Sequence, residues 1–517
     1  MQRILLCEDE PVLARNIVKA LARGPVEVTH ASSARTMRDA LRSQAFDLVI
    51  ADISLGDGDG LSTLSDVTDH LRDTPVIVMT GQDSVKNRSR AEGLAVAAFL
   101  AKPFALSRLR ELVAALTRGR VDGPRPQGSS VVMYSHDTIG LGHMRRNSAI
   151  AKALVSRMPD ASVLMLVGCP AGMVFESVPG IDYVKLPSLT KLGRGAFAAG
   201  SLRLETEAIR RLRRGVIEGV LSNLRPDLLL VDHEPGGVMG ELEATLRRIR
   251  VEGGTRTVLG LRDILDAPDR VMQAWACSGA NRIVRDLYDQ VLVYGDPVFF
   301  DSISAYDLPA QTRTCGIVTG KQLGPALARP RKRPRHVLVS GGGGRDAYPL
   351  IDAVISAFAG LPKPKRPAMT IVTGPLMDVE LQAEAAIRAA TLGIELKRHV
   401  SDLTEEMARA DLLITMTGYN SINEALAMGC PVVTVPRLGP SAEQRLRADR
   451  LSALGLARIL DRETLTPKTL ARVLTEPVPF VPPNALKMDG AEQAARVLQA
   501  LIETQANKQE AIHAADS

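Results

Sequence analysis

Short runs of consecutive apolar residues, each closed by a polar or charged residue, alternate along this chain with stretches whose apolar positions recur every three or four residues. Over residues 1–118 the runs are RILLC, DLVIAD, TPVIVMT and AAFLAK, and the helical spacing lies in PVLARNIVKALARG and SRLRELVAALTRG. Over residues 131–318 they are SVVMYS, SVLMLVG, DLLLVDHEP, TRTVLGLRD and QVLVYGD. From 335 to about 476 they are HVLVSGGGG, AMTIVTGP, IELKRHV, DLLITMTG and PVVTVP. Strands that alternate with helices predict parallel sheets with helices on both faces. The pattern breaks twice. GRVDGPRPQGSS, residues 119–130, has Gly, Pro, Ser and charge without apolar periodicity and predicts a linker. GKQLGPALARPRKRPR is basic and Pro-rich and predicts an interdomain connection with a solvated charge run. NALKMDGAEQAARVLQALIETQ regains helical spacing before a polar tail over residues 506–517. The expected organisation is three α/β units, 1–118, 131–318 and 335–505, in keeping with 517 residues at roughly 100–200 per domain.

Composition narrows the partners. Apolar residues make up 45% of the chain but aromatic residues only 3%, so the cores are expected to be aliphatic. A formal charge of +6 is small for this length, and no nucleic acid is expected as a partner, since such binders concentrate basic residues on one face. Nothing after the linker resembles a recognition helix. Cys7, Cys169, Cys277, Cys315 and Cys430 lie far apart without a CxxC pair, which points away from zinc and disulfides and towards reduced, buried thiols in a cytoplasm. The opening MQRILLCEDEP is too short and too acidic for a signal peptide. No apolar run reaches the roughly 18 residues of a membrane-spanning helix. A cytoplasmic protein is expected, with contact at the inner face of the membrane left open.

In parallel sheets of this kind ligands gather at the carboxyl ends of the strands. In the first unit those ends carry Glu8, Asp9, Asp52, Thr80 and Lys102. Glu8, Asp9 and Asp52 could hold one Mg²⁺, an ion that takes one or two carboxylates and keeps several waters. The Asp52 carboxylate could then accept a phosphoryl group, with Lys102 pairing to one of its oxygens and Thr80 hydrogen-bonding it. Each residue alone could be a solvated strand end; the ordered set is specific. CEDEP, DLVIADISLGDGDGL, VIVMTG and FLAKPF resemble the receiver domain of bacterial response regulators over all of residues 1–118. The resemblance implies a flavodoxin-like fold, a phosphoacceptor at Asp52, Mg²⁺ held by Glu8, Asp9 and Asp52, and a switch through Thr80, Phe99 and Lys102. It also implies a sensor histidine kinase or phosphotransfer protein as partner and leaves open a homodimer through the receiver. Gly56 stands where that family usually has proline.

The second unit opens on YSHDTIGLGHMRRN, residues 134–147. A strand, a Gly-rich turn and a helix start together make an anion site, and Gly140 and Gly142 admit a ligand close to the backbone. His143 adds a group that can take a proton near neutral pH, although capping or packing would also explain it. His136 and Asp137 could form an Asx-turn pair that shapes the loop. The DHEP strand end offers Asp232, His233 and Glu234 as alternative bases, Glu234 the least suited because Pro235 turns the following loop away. In the third unit Gly341, Gly342, Gly343 and Gly344 strip a loop of side chains beside Arg345, which suits a diphosphate but also an unliganded turn. The next strand ends at Gly418, and the helix after it carries Asn420 and Glu424. A carboxylate there can bind ribose hydroxyls or merely complement the helix dipole. The loop after VVTVP supplies Arg437, Glu443, Gln444 and Arg447.

Residues 131 to about 505 resemble a two-Rossmann (GT-B) glycosyltransferase, most of all the family 28 group that contains the lipid-linked N-acetylglucosaminyltransferase of peptidoglycan synthesis. SHDTIGLGHMRRN sits at that group's acceptor loop, SGGGGRD at its donor-diphosphate loop, and TGYNSINEALAMGCPVVTVPR with EQRLRADRL at its donor signature. The resemblance implies an acceptor loop with Gly140, Gly142 and Arg145. It implies donor binding by Gly341 to Gly344, Arg345, Gly418 and Asn420, with Glu424 on the ribose and Glu443 and Gln444 on the sugar hydroxyls. Glu443 stands where Asp or Gln is common, which leaves the sugar open. The expected whole is an α/β chain: a flavodoxin-like receiver domain followed by two Rossmann-like domains in a GT-B arrangement. It would move a sugar from a nucleotide sugar, UDP-linked by family default, to an unknown glycan or lipid-linked acceptor without a metal in transfer. His143 is the first candidate for base, with Asp232 and His233 behind it. A nucleotide-sugar 2-epimerase of the same fold and a non-catalytic, receiver-controlled scaffold are the alternatives. The basic stretch EAIRRLRRGVIEGV could touch anionic lipid or be a solvated face.

Overall fold

The computed structural model describes residues 2–22, 26–67, 71, 74–81, 96–117, 128–135, 142–168, 178–193, 196–319, 333–400, 402–437, 439, 441–477 and 485–515. Residues 1–125 fall in one compact unit, and residues 126–246 with 254–517 in a second, larger one.

In the first, five parallel strands lie in the order Val26–Ala31, Gln2–Cys7, Leu48–Asp52, Val76–Thr80, Val96–Ala101. The central runs LVIAD and VIVMT are buried at every position, as strands covered on both faces must be. Val26–Ala31 (VEVTHA) carries mixed polarity because it is an edge strand, and its apolar pattern is correspondingly faint in the sequence. Pro11 opens the helix Pro11–Leu21, where its missing N–H costs nothing. Ser33 and Thr36 form a capping box at the helix Ala34–Ser43.

The larger unit holds two sheets. The first is ordered Ile181–Lys185, Ser162–Val167, Ser130–Ser135, Leu228–Asp232, Arg256–Arg262, Gln290–Tyr294, Thr312–Thr314, all parallel. The second is ordered Glu395–Lys397, Ala368–Val372, His336–Ser340, Leu412–Thr415, Val432–Thr434, Arg458–Ile459, also parallel. In chain order the second runs 3-2-1-4-5-6, the doubly wound Rossmann order, and the first runs the same with a seventh strand added after the sixth; the ligand crevice of such sheets lies where the order reverses. That reversal sits between Ser130–Ser135 and Leu228–Asp232 in one sheet, and between His336–Ser340 and Leu412–Thr415 in the other. Both Gly-rich turns of the sequence follow a strand at these points.

The long helix Gly490–Ala515 belongs to the core of the first of these domains, although its sequence follows the second. Its Ala494, Ala495, Leu498 and Ile502 pack with Ile150 and Leu154 of the helix Gly142–Arg157. The segments that cross between domains bond to each other: Ile317 N–H donates to the Lys487 carbonyl and Gly490 N–H to the Ile317 carbonyl. The helical spacing continues to Ala515, so the polar tail expected from 506 is part of this helix. Among the described residues no helix is long and apolar enough to cross a membrane.

Candidate active site

Two groups of strand-end side chains stand out. In the first unit, Glu8, Asp9 and Asp52 bring one carboxylate oxygen each within 4.8 Å of one another. The Lys102 ammonium donates to Asp52 Oδ2 at 2.6 Å and to Glu8 Oε2 at 2.7 Å. Burial pushes the Glu8 carboxyl upward against the pull of Lys102. Burial also opposes the Lys102 charge, but its hydrogen bonds to Asp52 and Glu8 outweigh this and raise its pKa. Thr80 is buried at the end of its strand, where its carbonyl accepts from the Lys102 N–H, and Phe99 is half-buried against the core. A Cβ at Gly56 would stand 3.3 Å from Asp9 Oδ2, so a small residue there keeps the acid pocket open. Three hard oxygen donors at this spacing fit the ion expected from the sequence.

In the larger unit, the helix Gly142–Arg157 starts at the reversal point and aims His143 at the end of Leu228–Asp232. His143 Nδ1 meets Asp232 Oδ2 at 2.5 Å. Arg146, one turn on and 3% exposed, grips the same carboxylate with Nη2 at 2.7 and 2.9 Å and Nε at 3.2 Å. Arg146 Nη2 also lies 3.0 Å from His143 Nδ1. Both cannot donate there; the shorter carboxylate contact places the proton on Nδ1, which leaves Nε2 with its lone pair. Burial, with the charges of Arg146, Arg262 and Lys191, pushes the His143 pKa well below its usual value, so the ring is neutral near pH 7. The His233 ring lies 5.2 Å away, on a left-handed backbone with φ of 71°. Glu234 is driven up by burial, against Lys191. Beyond it the loop is fixed by a buried trio: Tyr134 donates to Glu241, Arg213 grips Glu241, and Val238 N–H donates to the Tyr134 oxygen.

The second Rossmann-like domain faces this group. Arg145 Nη1 lies 3.9 Å from Glu424 Oε1, and a Cβ at Gly142 would come within 3.1 Å of Asn420 Nδ2. Glu424 is 7% exposed, and burial lifts its pKa to about 6. Gly418 caps the helix Tyr419–Ala427 without a side chain. Gly342 and Gly343 are exposed, as is Arg345. Gly341 and Gly344 instead press against the Thr373 carbonyl, and a Cβ on Gly344 would lie 2.7 Å from it. Half of the glycine run therefore serves loop packing. Glu443 and Gln444 have partners within the protein. Glu443 accepts from Arg262 at 2.9 Å and from Arg447 at 2.8 Å, while Gln444 Oε1 accepts the Arg437 N–H at 3.2 Å. Burial would raise the Glu443 pKa, but the two arginines hold it below the usual range. Of the sequence candidates, His136, Asp137 and Gly140 lie outside the described residues.

The chain matches the response regulator receiver domain over residues 4–114 and the glycosyltransferase family 28 C-terminal domain over residues 336–502. This protein joins a receiver domain to a family 28 C-terminal domain, the latter in the second of its two Rossmann-like domains. Its receiver is similar to the transcriptional regulatory protein PmrA of Pectobacterium parmentieri, at 36% identity over 27% of this chain and 60% of that protein. Its GT-B module is similar to the UDP-N-acetylglucosamine–N-acetylmuramyl-(pentapeptide) pyrophosphoryl-undecaprenol N-acetylglucosamine transferase of Methylobacterium sp. (strain 4-46), at 26% identity over 62% of this chain and 82% of that one. Among solved structures, Acinetobacter baumannii MurG is similar at 19% identity over 73% of this chain and 99% of its own, with a TM-score of 0.45. The chain thus spans 60% of the length of the first relative.

Arg146, Gly260, Asp263, Tyr294 and Tyr419 have no role assigned by the sequence pattern. Gly260, paired with Asp232 across the sheet, has no room for a Cβ because the Tyr294 hydroxyl and ring cover it. Arg447 bridges Glu443 and Asp263, the latter at 2.5 Å, and is wholly buried.

Proposed function

We propose that this protein is a glycosyltransferase under receiver control, which moves a sugar from a UDP-linked donor to an acceptor hydroxyl. The observation that carries the reading is the neutral His143, oriented by Asp232 on the same helix start whose Arg145 lies 3.9 Å from Glu424 of the second Rossmann-like domain. The acceptor hydroxyl gives its proton to His143 Nε2 as its oxygen bonds to the anomeric carbon. The bond from that carbon to the diphosphate oxygen breaks, and the nucleoside diphosphate leaves with the electron pair. Asp232 then stabilises the imidazolium, as an orienting carboxylate does in other His-based sites. Glu424 accepts hydrogen bonds from the ribose. The open backbone at Gly342 and Gly343 with Arg345 receives the diphosphate, where preorganised donors stabilise developing charge.

UDP-N-acetylglucosamine is the donor to try first, because the Methylobacterium relative is named for it. A lipid-linked or glycan acceptor follows from the same relative. On the receiver, Asp52 takes a phosphoryl group from a histidine kinase or phosphotransfer partner. Glu8, Asp9 and Asp52 would hold Mg²⁺, which when bound supplies positive charge for the incoming phosphoryl oxygens.

The test is release of UDP from UDP-N-acetylglucosamine with lipid-linked and glycan acceptors offered in turn. His143→Ala should lower the rate by about 10²–10⁴-fold, the scale of general-base work. Rapid epimerisation of the donor without any acceptor would instead indicate a 2-epimerase.

A further inference from the structure

We infer that Tyr419 is a positioning residue through which the donor-side helix Tyr419–Ala427 sets the alignment of the His143–Asp232 pair, by way of Arg146. The inference rests on the transferase reading above for its purpose, but not for its decisive measurement.

Tyr419 is the first residue of the helix that carries Glu424, and it is 5% exposed. Its hydroxyl donates across the domain boundary to the Tyr294 carbonyl at 2.9 Å and accepts from the Val318 N–H at 3.4 Å. Two buried guanidinium groups lie near its ring. Arg146 stands 5.7 Å from the ring centroid and Arg447 5.2 Å from it. Arg146 is also 5.4 Å from the Tyr294 ring, so its cation is held between one aromatic ring of each domain. The same guanidinium makes three contacts to Asp232, and Asp232 fixes His143. A desolvated arginine held by two rings and a carboxylate cannot slide freely, because each displacement loses ion–ring and ion-pair energy together. Movement of the donor-side helix must therefore reach the imidazole through two side chains. The route is direct contact at every step and needs no loop motion.

The groups around His143 fix the direction of the readout. Asp232 faces its Nδ1; Arg146 lies on its own helix; His233 follows Asp232; Arg262 ends the neighbouring strand; Lys191 reaches in from the Leu189–Gly193 hairpin strand. Loss of the Tyr419 ring frees Arg146 to leave Asp232. His143 then loses a cation 3.0 Å away and keeps its carboxylate. Its pKa must rise.

The experiment is an NMR titration of the full chain labelled with ¹³C-histidine, with His143→Gln to assign the signal. Tyr419→Leu should raise the His143 pKa by about one or more, the usual scale for a neighbouring charge. Tyr419→Phe keeps the ring and should titrate like the parent. In turnover, Tyr419→Leu should lower kcat at least tenfold, on the order of a lost positioning contact, with UDP affinity changed by less than about threefold. A folded Tyr419→Leu protein with the parent's titration overturns the inference. If Tyr419→Leu does not fold, Tyr419→Met replaces it; if neither folds while Tyr419→Phe does, the ring is structural and the inference is equally overturned. Absence of UDP binding in the parent would sink the transferase reading alone, since the titration would still report on the link.

Discussion

The Asp232 carboxylate meets the His143 imidazole at 2.5 Å, joining a strand end to a helix start that lie 89 residues apart in sequence. The pairing sets which nitrogen carries the proton. Asp232→Asn keeps the shape but can present an N–H to Nδ1 and so favours the wrong tautomer. Turnover should fall by about 10²–10⁴-fold with little change in UDP affinity, following the behaviour of orienting carboxylates elsewhere. Steady-state rates with calorimetric UDP binding check this; a full rate in Asp232→Asn would move the base away from His143.

Burial at Glu424 sets a pH dependence. Its folded pKa, about 6, lies above the ordinary value of 4.5, so the folded state binds the extra proton. Stability is therefore lost, not gained, as pH rises from 4.5 through 6. Glu424→Gln should be more stable than the parent above about pH 7, by at most about 2 kcal/mol, since a tenfold change in proton affinity corresponds to about 1.4 kcal/mol. Near about pH 4, where the carboxyl is protonated in both states, the two proteins should be equally stable. Denaturant melts at the two pH values decide the matter. A parent that gains stability relative to Glu424→Gln at high pH would contradict the burial argument.

Arg447 is the cation of a closed interdomain network with Asp263, Glu443 and Arg262. Arg447→Met leaves Asp263 buried without its counter-ion and should cost about 3–5 kcal/mol, the usual penalty for breaking one side of a buried pair. Glu443→Gln should lower stability while shifting the KM for the donor by less than about threefold, because its carboxylate already holds two arginines. Urea denaturation and donor kinetics on the same preparations separate the outcomes. A large KM effect with parent stability would return Glu443 to the sugar.

Much of this was legible in the chain, and the reasons for the rest are physical. Apolar runs with both faces covered, such as LVIAD and LLLVD, announce central strands. Edge strands such as Val26–Ala31 and Ile181–Lys185 are half-exposed, so their alternation is weak. Glu8, Asp9, Asp52 and Lys102 were readable because each sits at a strand end, and the structure brings them together. Arg146 on Asp232, Tyr419 against two arginines, and Gly260 under Tyr294 depend on which faces meet across distant segments. No local spacing encodes those meetings. The stretch EAIRRLRRGVIEGV reads as basic, yet Arg213 turns inward to Glu241 while Arg210 and Arg214 pair on the surface with Glu207 and Glu218.

Asp52 should become phosphorylated by a small phosphodonor in the presence of Mg²⁺. The added charge, about −1.5 to −2, is screened within about 8 Å at physiological salt, so it must act by reshaping the receiver surface near Thr80, Phe99 and Lys102. A coupling of about 1–3 kcal/mol would change the transferase rate by roughly 5- to 150-fold. Rates for the parent with and without acetyl phosphate, for Asp52→Ala, and for a chain starting at Ser129 test this. One common rate would limit the receiver to location or partner choice.

Donor binding in the second Rossmann-like domain is tested by calorimetric titration of UDP into the parent and into Glu424→Ala. The parent should bind UDP, and the variant should bind it more weakly by about 1–3 kcal/mol, the scale of hydrogen bonds to a charged group. Equal affinity in the two proteins, or no binding to the parent, would contradict this.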